Sequence, residues 1–203
     1  YKKNYHNNII KVYEPKNIAK EELDCLVFYT GANSVIPAEI YSNFIKTLNN
    51  YNFSVSVVTN NNEATSEFLY DIRDNYKEII PITHSSGYVN AFKTINMQKN
   101  IKKAVFLDPV DNSNVLNFNP LKFVNNDNNK FNHLEKILVL NAEKSYKWSR
   151  IPPFIPFIPV FRLKRNDLSI EQSKIKEITI KNYGHCDIIN NPYRNLMHYS
   201  RIS

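Results

Sequence analysis

The sequence predicts an α/β fold, a mostly parallel sheet with helices on both faces. Three observations carry this expectation. Short apolar runs recur along the chain, each bounded by polar residues. Four of them are continuously apolar, as strands covered on both faces are. Between the runs lie stretches with apolar residues at helical spacing, so strand and helix patterns alternate.

The elements follow in order. Ile9–Tyr13 reads as an extra N-terminal strand and Cys25–Tyr29 (CLVFY) as the first central one. Ile36, Ile40, Phe44 and Leu48 then recur every four residues, with Tyr41 and Ile45 widening the stripe, which predicts an amphipathic helix. Phe53–Val58 (FSVSVV) is the next strand. Residues 63–77 place Phe68, Leu69, Ile72 and Tyr76 on one helical face. Ile79–Ile82 (IIPI) is a strand, and residues 87–97 repeat the helical pattern with Tyr88, Ala91, Phe92 and Ile95. Ala104–Leu107 and Ile137–Leu140 are further buried strands. Ile175–Ile180 (IKEITI) alternates, so Ile178 and Ile180 share one side, as in a half-covered edge strand.

Two regions break this rhythm. Residues 112–133 are Asn-rich and aperiodic, and residues 149–173 contain the Pro-interrupted apolar stretch IPPFIPFIPVF. Pro serves neither a helix interior nor a central strand, so both regions read as insertions on the rim of the sheet. The expectation is one domain over residues 1–203, without internal repeats.

Composition narrows the function classes. Of 203 residues, 42% are apolar and 22% charged, the balance of a globular protein. The net charge of +7 is spread along the chain, without a long basic block or a basic stripe interleaved with aromatics, which argues against nucleic acid as a partner. The two cysteines, Cys25 and Cys186, lack metal-type spacing. No run approaches the roughly 18 apolar residues of a membrane span, and no signal peptide is visible. A cytoplasmic location is the favoured expectation; secretion stays open because the chain begins at Tyr.

In an open α/β sheet, sites form beyond the carboxyl ends of the strands. The third central run is followed by Thr83-His84-Ser85-Ser86-Gly87, which leads straight into a helical pattern. A serine on such a sharp turn is lifted above the sheet, next to a helix N-terminus. The bland reading is a turn of small residues. Asp108, in Leu107-Asp108-Pro109-Val110-Asp111, ends the next strand; it is either a strand-capping turn or a carboxylate that orients a histidine. His185, in Asn182-Tyr183-Gly184-His185-Cys186-Asp187, follows the last strand and completes the order Ser, Asp, His. Glu143, after the ILVL strand, is the alternative acid. An oxyanion hole needs two backbone N–H groups. Ser86 would supply one, and Gly31 or Ala32, after the first central strand, the other. The chain has only three glycines, and each, Gly31, Gly87 and Gly184, stands beside one of these pieces. Trp148, Phe154 and Phe157 are candidates for a substrate pocket or lid, or else for a rim loop packed on the core.

These pieces together resemble the α/β-hydrolase superfamily and, more narrowly, chlorophyllases and their esterase relatives. Phe28-Tyr29-Thr30-Gly31 resembles the oxyanion loop, His84-Ser85-Ser86-Gly87 the nucleophile elbow, the DPVD of residues 108–111 the acid, and Tyr183-Gly184-His185 the histidine loop. The resemblance implies the α/β-hydrolase fold and ester hydrolysis without metal or cofactor. It implies Ser85 as nucleophile, Asp108 as acid and His185 as general base. The sequence departs from the pattern at Thr83 and Tyr88, where glycines are usual, and at Thr30-Gly31 in place of His-Gly. The expected partner is a small ester with a hydrophobic part, with contact to a membrane surface as a further expectation from the apolar insertion. A weak or inactive binding protein on the same fold is the alternative.

Overall fold

The computed structural model describes residues 2–5, 10–58, 62–111, 131–146, 161–162 and 170–190. Ten strands are present among them: β1 (Lys2–Tyr5), β2 (Ile10–Tyr13), β3 (Asp24–Tyr29), β4 (Phe53–Val58), β5 (Glu78–His84), β6 (Lys103–Leu107), β7 (Val110–Asp111), β8 (Lys136–Ala142), β9 (Phe161–Arg162) and β10 (Ile175–Ile180). Eight form one sheet in the order β1-β2-β4-β3-β5-β6-β8-β10, and β7 pairs with β9 apart from it. β1 and β2 join antiparallel, and every pair from β4 to β10 is parallel. β4 lies on one side of β3 and β5 on the other. The chain therefore reverses direction across the sheet at β3, and such a switch point opens a crevice at the strands' carboxyl ends.

The apolar runs explain why the sheet is central. In β3, Cys25, Val27 and Tyr29 join one buried cluster, while Leu26 and Phe28 join another on the opposite face. Helices Asn62–Ile72 and Tyr88–Met97 cover the first face through Phe68, Leu69, Phe92 and Ile95. Helix Ser42–Asn50 and the turn before it cover the second through Tyr41 and Ile45. Fully burying a side chain such as Phe28 or Phe106 contributes on the order of 1.5–3 kcal/mol.

Three local expectations change. The stripe from Ile36 to Leu48 is not one helix: Pro37 is extended (ψ 147°), Ala38–Tyr41 is a 3-10 turn, and the α-helix begins at Ser42. A residue before proline is pushed away from helical geometry, which keeps Ile36 outside. The helix expected over 63–77 ends at Ile72, and Tyr76 reaches the core from the turn beyond it. On β10, Ile178 and Ile180 are 39% and 36% exposed. Alternation reveals that a strand has two unlike faces, not that either is covered.

Pro81 sits inside β5, a central strand. β5 pairs with β3 along most of its length but with β6 only from Ile82 to His84. Pro81 lies opposite Val27 in the β3 ladder and one residue before the β6 ladder begins, so on its β6 side there is no partner to lose. Thr83 lies within both ladders, opposite Tyr29 and Phe106. Its hydroxyl is buried and has no hydrogen-bond partner among the described residues. Thr83→Val keeps the shape and removes that unsatisfied group. It is expected to leave stability unchanged or raise it by about 1 kcal/mol, read from urea unfolding.

Candidate active site

The elbow is built where β5 meets the next helix. Ser85 has φ +56°, a left-handed conformation that a serine adopts at a cost. It opens a 3-10 turn, Ser85–Gly87, that runs directly into helix Tyr88–Met97. Gly87 is the position this turn depends on. A Cβ there would lie 2.5 Å from the carbonyl oxygens of both Tyr29 and Thr30. Only a residue without a side chain lets the turn pass so close to the end of β3. Tyr88 points away from the crevice into the core, edge-on to Phe92 at 5.8 Å.

The loop after β3 is also wound left-handed. Ala32, Asn33 and Ser34 have φ of 50°, 56° and 64°. Each such non-glycine residue costs roughly 1–2 kcal/mol, so the surroundings must hold the turn in place. Asn33 N–H donates to Ser86 Oγ at 3.1 Å. The buried Asn90 donates from Nδ2 to Asn33 O at 2.7 Å, and Thr30 Oγ1 donates to Ile36 O at 2.7 Å. Gly31 N–H donates to Tyr41 Oη at 3.1 Å, so it is already engaged. Of the two donors considered on this loop, that leaves Ala32, with Ser86 on the elbow.

Asp108 ends β6 with φ +42° and its backbone N–H on Leu140 O of β8. Its carboxylate is turned inward: Oδ1 accepts from Ala142 N–H at 2.9 Å and Oδ2 meets His185 Nδ1 at 2.6 Å. A neutral His185 then carries its proton on Nδ1 and leaves Nε2 as the free base. Glu143 does not compete for this contact. Its Oε2 accepts from Asn182 N–H at 2.7 Å, at the base of the histidine loop. Gly184 proves unlike the other glycines: an added Cβ would stay 3.7 Å from Asp187 Oδ2, ordinary contact. What it supplies is its N–H, which donates to the same oxygen at 2.8 Å. Among the described residues no hydrogen bond joins Ser85 Oγ to His185; catalytic contacts of free enzymes are often loose and tighten on binding.

His84 is 2% exposed and packs against His185 with ring centres 4.8 Å apart. Burial, then the neighbouring His185, pushes its pKa down from 6.5 to about 3. The unfolded chain therefore binds a proton below pH 6.5 that the folded protein refuses. Stability from this group is complete above 6.5 and is lost as pH falls from 6.5 toward 3, by at most about 1.4 kcal/mol per pH unit. Urea unfolding at pH 7.5 and pH 5 should show this loss in the wild type and a smaller one in His84→Gln.

A cavity of about 540 Å³ borders the His185 loop, with Phe44, Leu107, Leu140 and Ile180 on its apolar wall. His84 and His185 reach it, and Ser85 does not. The pocket candidates Trp148, Phe154 and Phe157 lie outside the described residues. Cys25 and Cys186 are both free thiols; burial raises the first to about 12 and the second to about 11. Among the described residues no cluster of metal-ligating side chains occurs, and no helix is long and apolar enough to cross a membrane.

The sequence pattern missed Tyr41 and Asn90. Both read as helix positions, Tyr41 as part of an apolar stripe. Their polar ends act across the chain, which periodicity does not record.

No protein-family model matches the chain, and no curated protein matches it. Solved structures do. Est1E from Butyrivibrio proteoclasticus aligns with a TM-score of 0.58 at 14% identity, over 95% of this chain and 92% of its own. The esterase domain of a Rhodothermus marinus protein aligns at 0.57 and 11% identity, over 92% and 86%. Est2, a thermophilic esterase from the planctomycete Thermogutta terrifontis, aligns at 0.58 and 9% identity, over 98% and 87%. With the strand order and the elbow already described, this likeness defines the architecture: the chain has the α/β-hydrolase fold.

Proposed function

We propose that the protein is a serine esterase in which Ser85, His185 and Asp108 act as one catalytic triad. The observation that carries this reading is the 2.6 Å contact between Asp108 Oδ2 and His185 Nδ1, made by loops from two different strands, with the His185 ring against His84, the residue before a strained serine. Ser85 Oγ attacks the ester carbonyl while His185 Nε2 takes its proton. The amides of Ser86 and Ala32 bind the oxyanion. His185 then protonates the leaving alcohol, and water, activated by the same imidazole, releases the acid from the acyl-enzyme. The esterases among the structural neighbours support the ester as substrate class.

The finer likeness, to chlorophyllases and their esterase relatives, rests on Asp108-Pro109-Val110-Asp111 and Tyr183-Gly184-His185. A lipophilic ester, met near a membrane surface, is the substrate we favour, on the composition of residues 149–173. A panel of p-nitrophenyl esters from acetate to palmitate tests both levels. Turnover that Ser85→Ala abolishes supports the esterase, and a rise in kcat/KM with chain length supports the lipophilic preference. Folded protein that turns over none of the panel favours the binding protein instead.

A further inference from the structure

We propose that Tyr41 and His84 are positioning residues: a buried hydrogen-bond relay through them holds the oxyanion loop, the elbow and the His185 loop in register. The inference rests on the triad reading above and extends it to two residues that touch no reacting atom.

The direction of the relay follows from donor and acceptor chemistry. His84 Nε2 lies 2.9 Å from the backbone carbonyl of His185. A carbonyl only accepts, so Nε2 carries the proton. His84 is buried and neutral, so Nδ1 is a lone pair, and Tyr41 Oη, 2.8 Å away, must donate to it. Tyr41 Oη in turn accepts from Gly31 N–H at 3.1 Å. The chain therefore runs one way: Gly31 N–H to Tyr41 O–H, Tyr41 O–H to His84 Nδ1, His84 Nε2–H to His185 O.

Each link adjoins a piece of the proposed machinery. Gly31 precedes Ala32, His84 precedes Ser85, and the last acceptor is the backbone of His185 itself. Gly31 also makes room for the relay. A Cβ there would lie 3.1 Å from Tyr41 Oη and 3.2 Å from His84 Nδ1, closer than those atoms readily allow. Asp108 orients the His185 ring from one side; the relay fixes the backbone that carries the ring. Packing keeps the linking side chains still, with Tyr41 edge-on to Phe28 at 5.0 Å and to His84 at 5.6 Å. A shift of about 1 Å in such an assembly costs on the order of 100-fold in rate, so a relay that sets three positions at once has a measurable effect.

Two measurements on the full chain test this. Nitrogen-15 imidazole NMR of the wild type at pH 7 is expected to show His84 neutral and protonated on Nε2, and Tyr41→Phe is expected to shift the His185 ring signals. In kinetics, Tyr41→Phe should lower kcat and the rate of fluorophosphonate labelling together, by about 10- to 100-fold, with KM within twofold. His84→Gln, whose amide can still donate to the His185 carbonyl, should keep at least about tenfold more activity than His84→Ala at similar melting temperatures, a rescue that loss of packing alone does not produce. His84 found protonated on Nδ1, or Tyr41→Phe with wild-type kinetics and unshifted His185 signals, overturns the relay. Failure of the triad reading looks different: the wild type takes no label, while the NMR signature is present.

Discussion

Asp108→Asn is expected to lower kcat by about 10⁴-fold at neutral pH while the protein stays folded. The geometry gives the reason. The substituted amide would keep the shape and could still accept from Ala142 N–H through its oxygen, the bond that Asp108 Oδ1 makes at 2.9 Å. Its NH2 group would then face His185 Nδ1 in place of the carboxylate oxygen now 2.6 Å away. That donor pushes the His185 proton onto Nε2, the nitrogen that the proposed triad needs free to receive the proton of Ser85. The imidazolium also loses its counter-charge. Melting should change by only a few degrees, because one acceptor is kept and one hydrogen bond reverses direction. Glu143→Gln is the control: its oxygen can still accept from Asn182 N–H, and activity should stay within a few-fold of wild type. The opposite ranking of these two variants would return the acid role to Glu143.

The second large effect concerns Gly87→Ala. The new methyl would stand 2.5 Å from two backbone carbonyl oxygens, of Tyr29 and Thr30. Carbonyls at the end of a central strand cannot turn aside as a flexible side chain can. The elbow has to move outward, away from β3. Overpacking of this kind costs typically 1–3 kcal/mol, or about 2–12 °C in melting temperature for a chain of this size. The same shift would separate Ser86 from Asn33, and with it the two halves of the proposed oxyanion site. Activity should fall at least about 100-fold, further than the stability loss alone would produce at 25 °C. Differential scanning calorimetry and ester kinetics on the same preparation check both parts. Gly184→Ala, with ordinary contacts around the added methyl, should melt within a few degrees of wild type.

The central strands were legible because covered strands are written as short apolar runs bounded by polar residues, while β10, largely exposed at the edge, was legible only from its alternation. β3, β4, β5, β6, β8 and β10 all fall on runs read from the sequence, within a residue or two at each end. The Asp108–His185 contact agrees with the order Ser, Asp, His, but that order fits Glu143 as well; Asp108 was preferred on the DPVD resemblance, and its loop reaches His185 past the intervening β8. β1 was not anticipated: Lys2–Tyr5 carries no apolar alternation and pairs with β2 at the sheet's edge. The left-handed turn at Ala32–Ser34 was equally hidden. Its conformation is imposed from a distance by Ser86 and Asn90, and neither alanine nor serine advertises positive φ. Counting glycines singled out three loops whose glycines matter for unequal reasons. Gly87 is required by a backbone approach, Gly31 by room for Tyr41 and His84, and Gly184 by neither. His84 could be read as a packing or hydrogen-bonding residue, but its partners could not: periodicity places Tyr41 in an apolar stripe and does not record what a hydroxyl or ring nitrogen reaches across the chain.

The account depends on Ser85 being an activated nucleophile. Incubation of the wild-type protein with a fluorophosphonate, followed by peptide mass spectrometry, tests that most directly. The expected result is a single phosphonylated residue, Ser85, with labelling abolished in Ser85→Ala and slowed at least about 100-fold in His185→Ala. Folded protein that takes no label, or that takes it equally well after His185→Ala, contradicts the account.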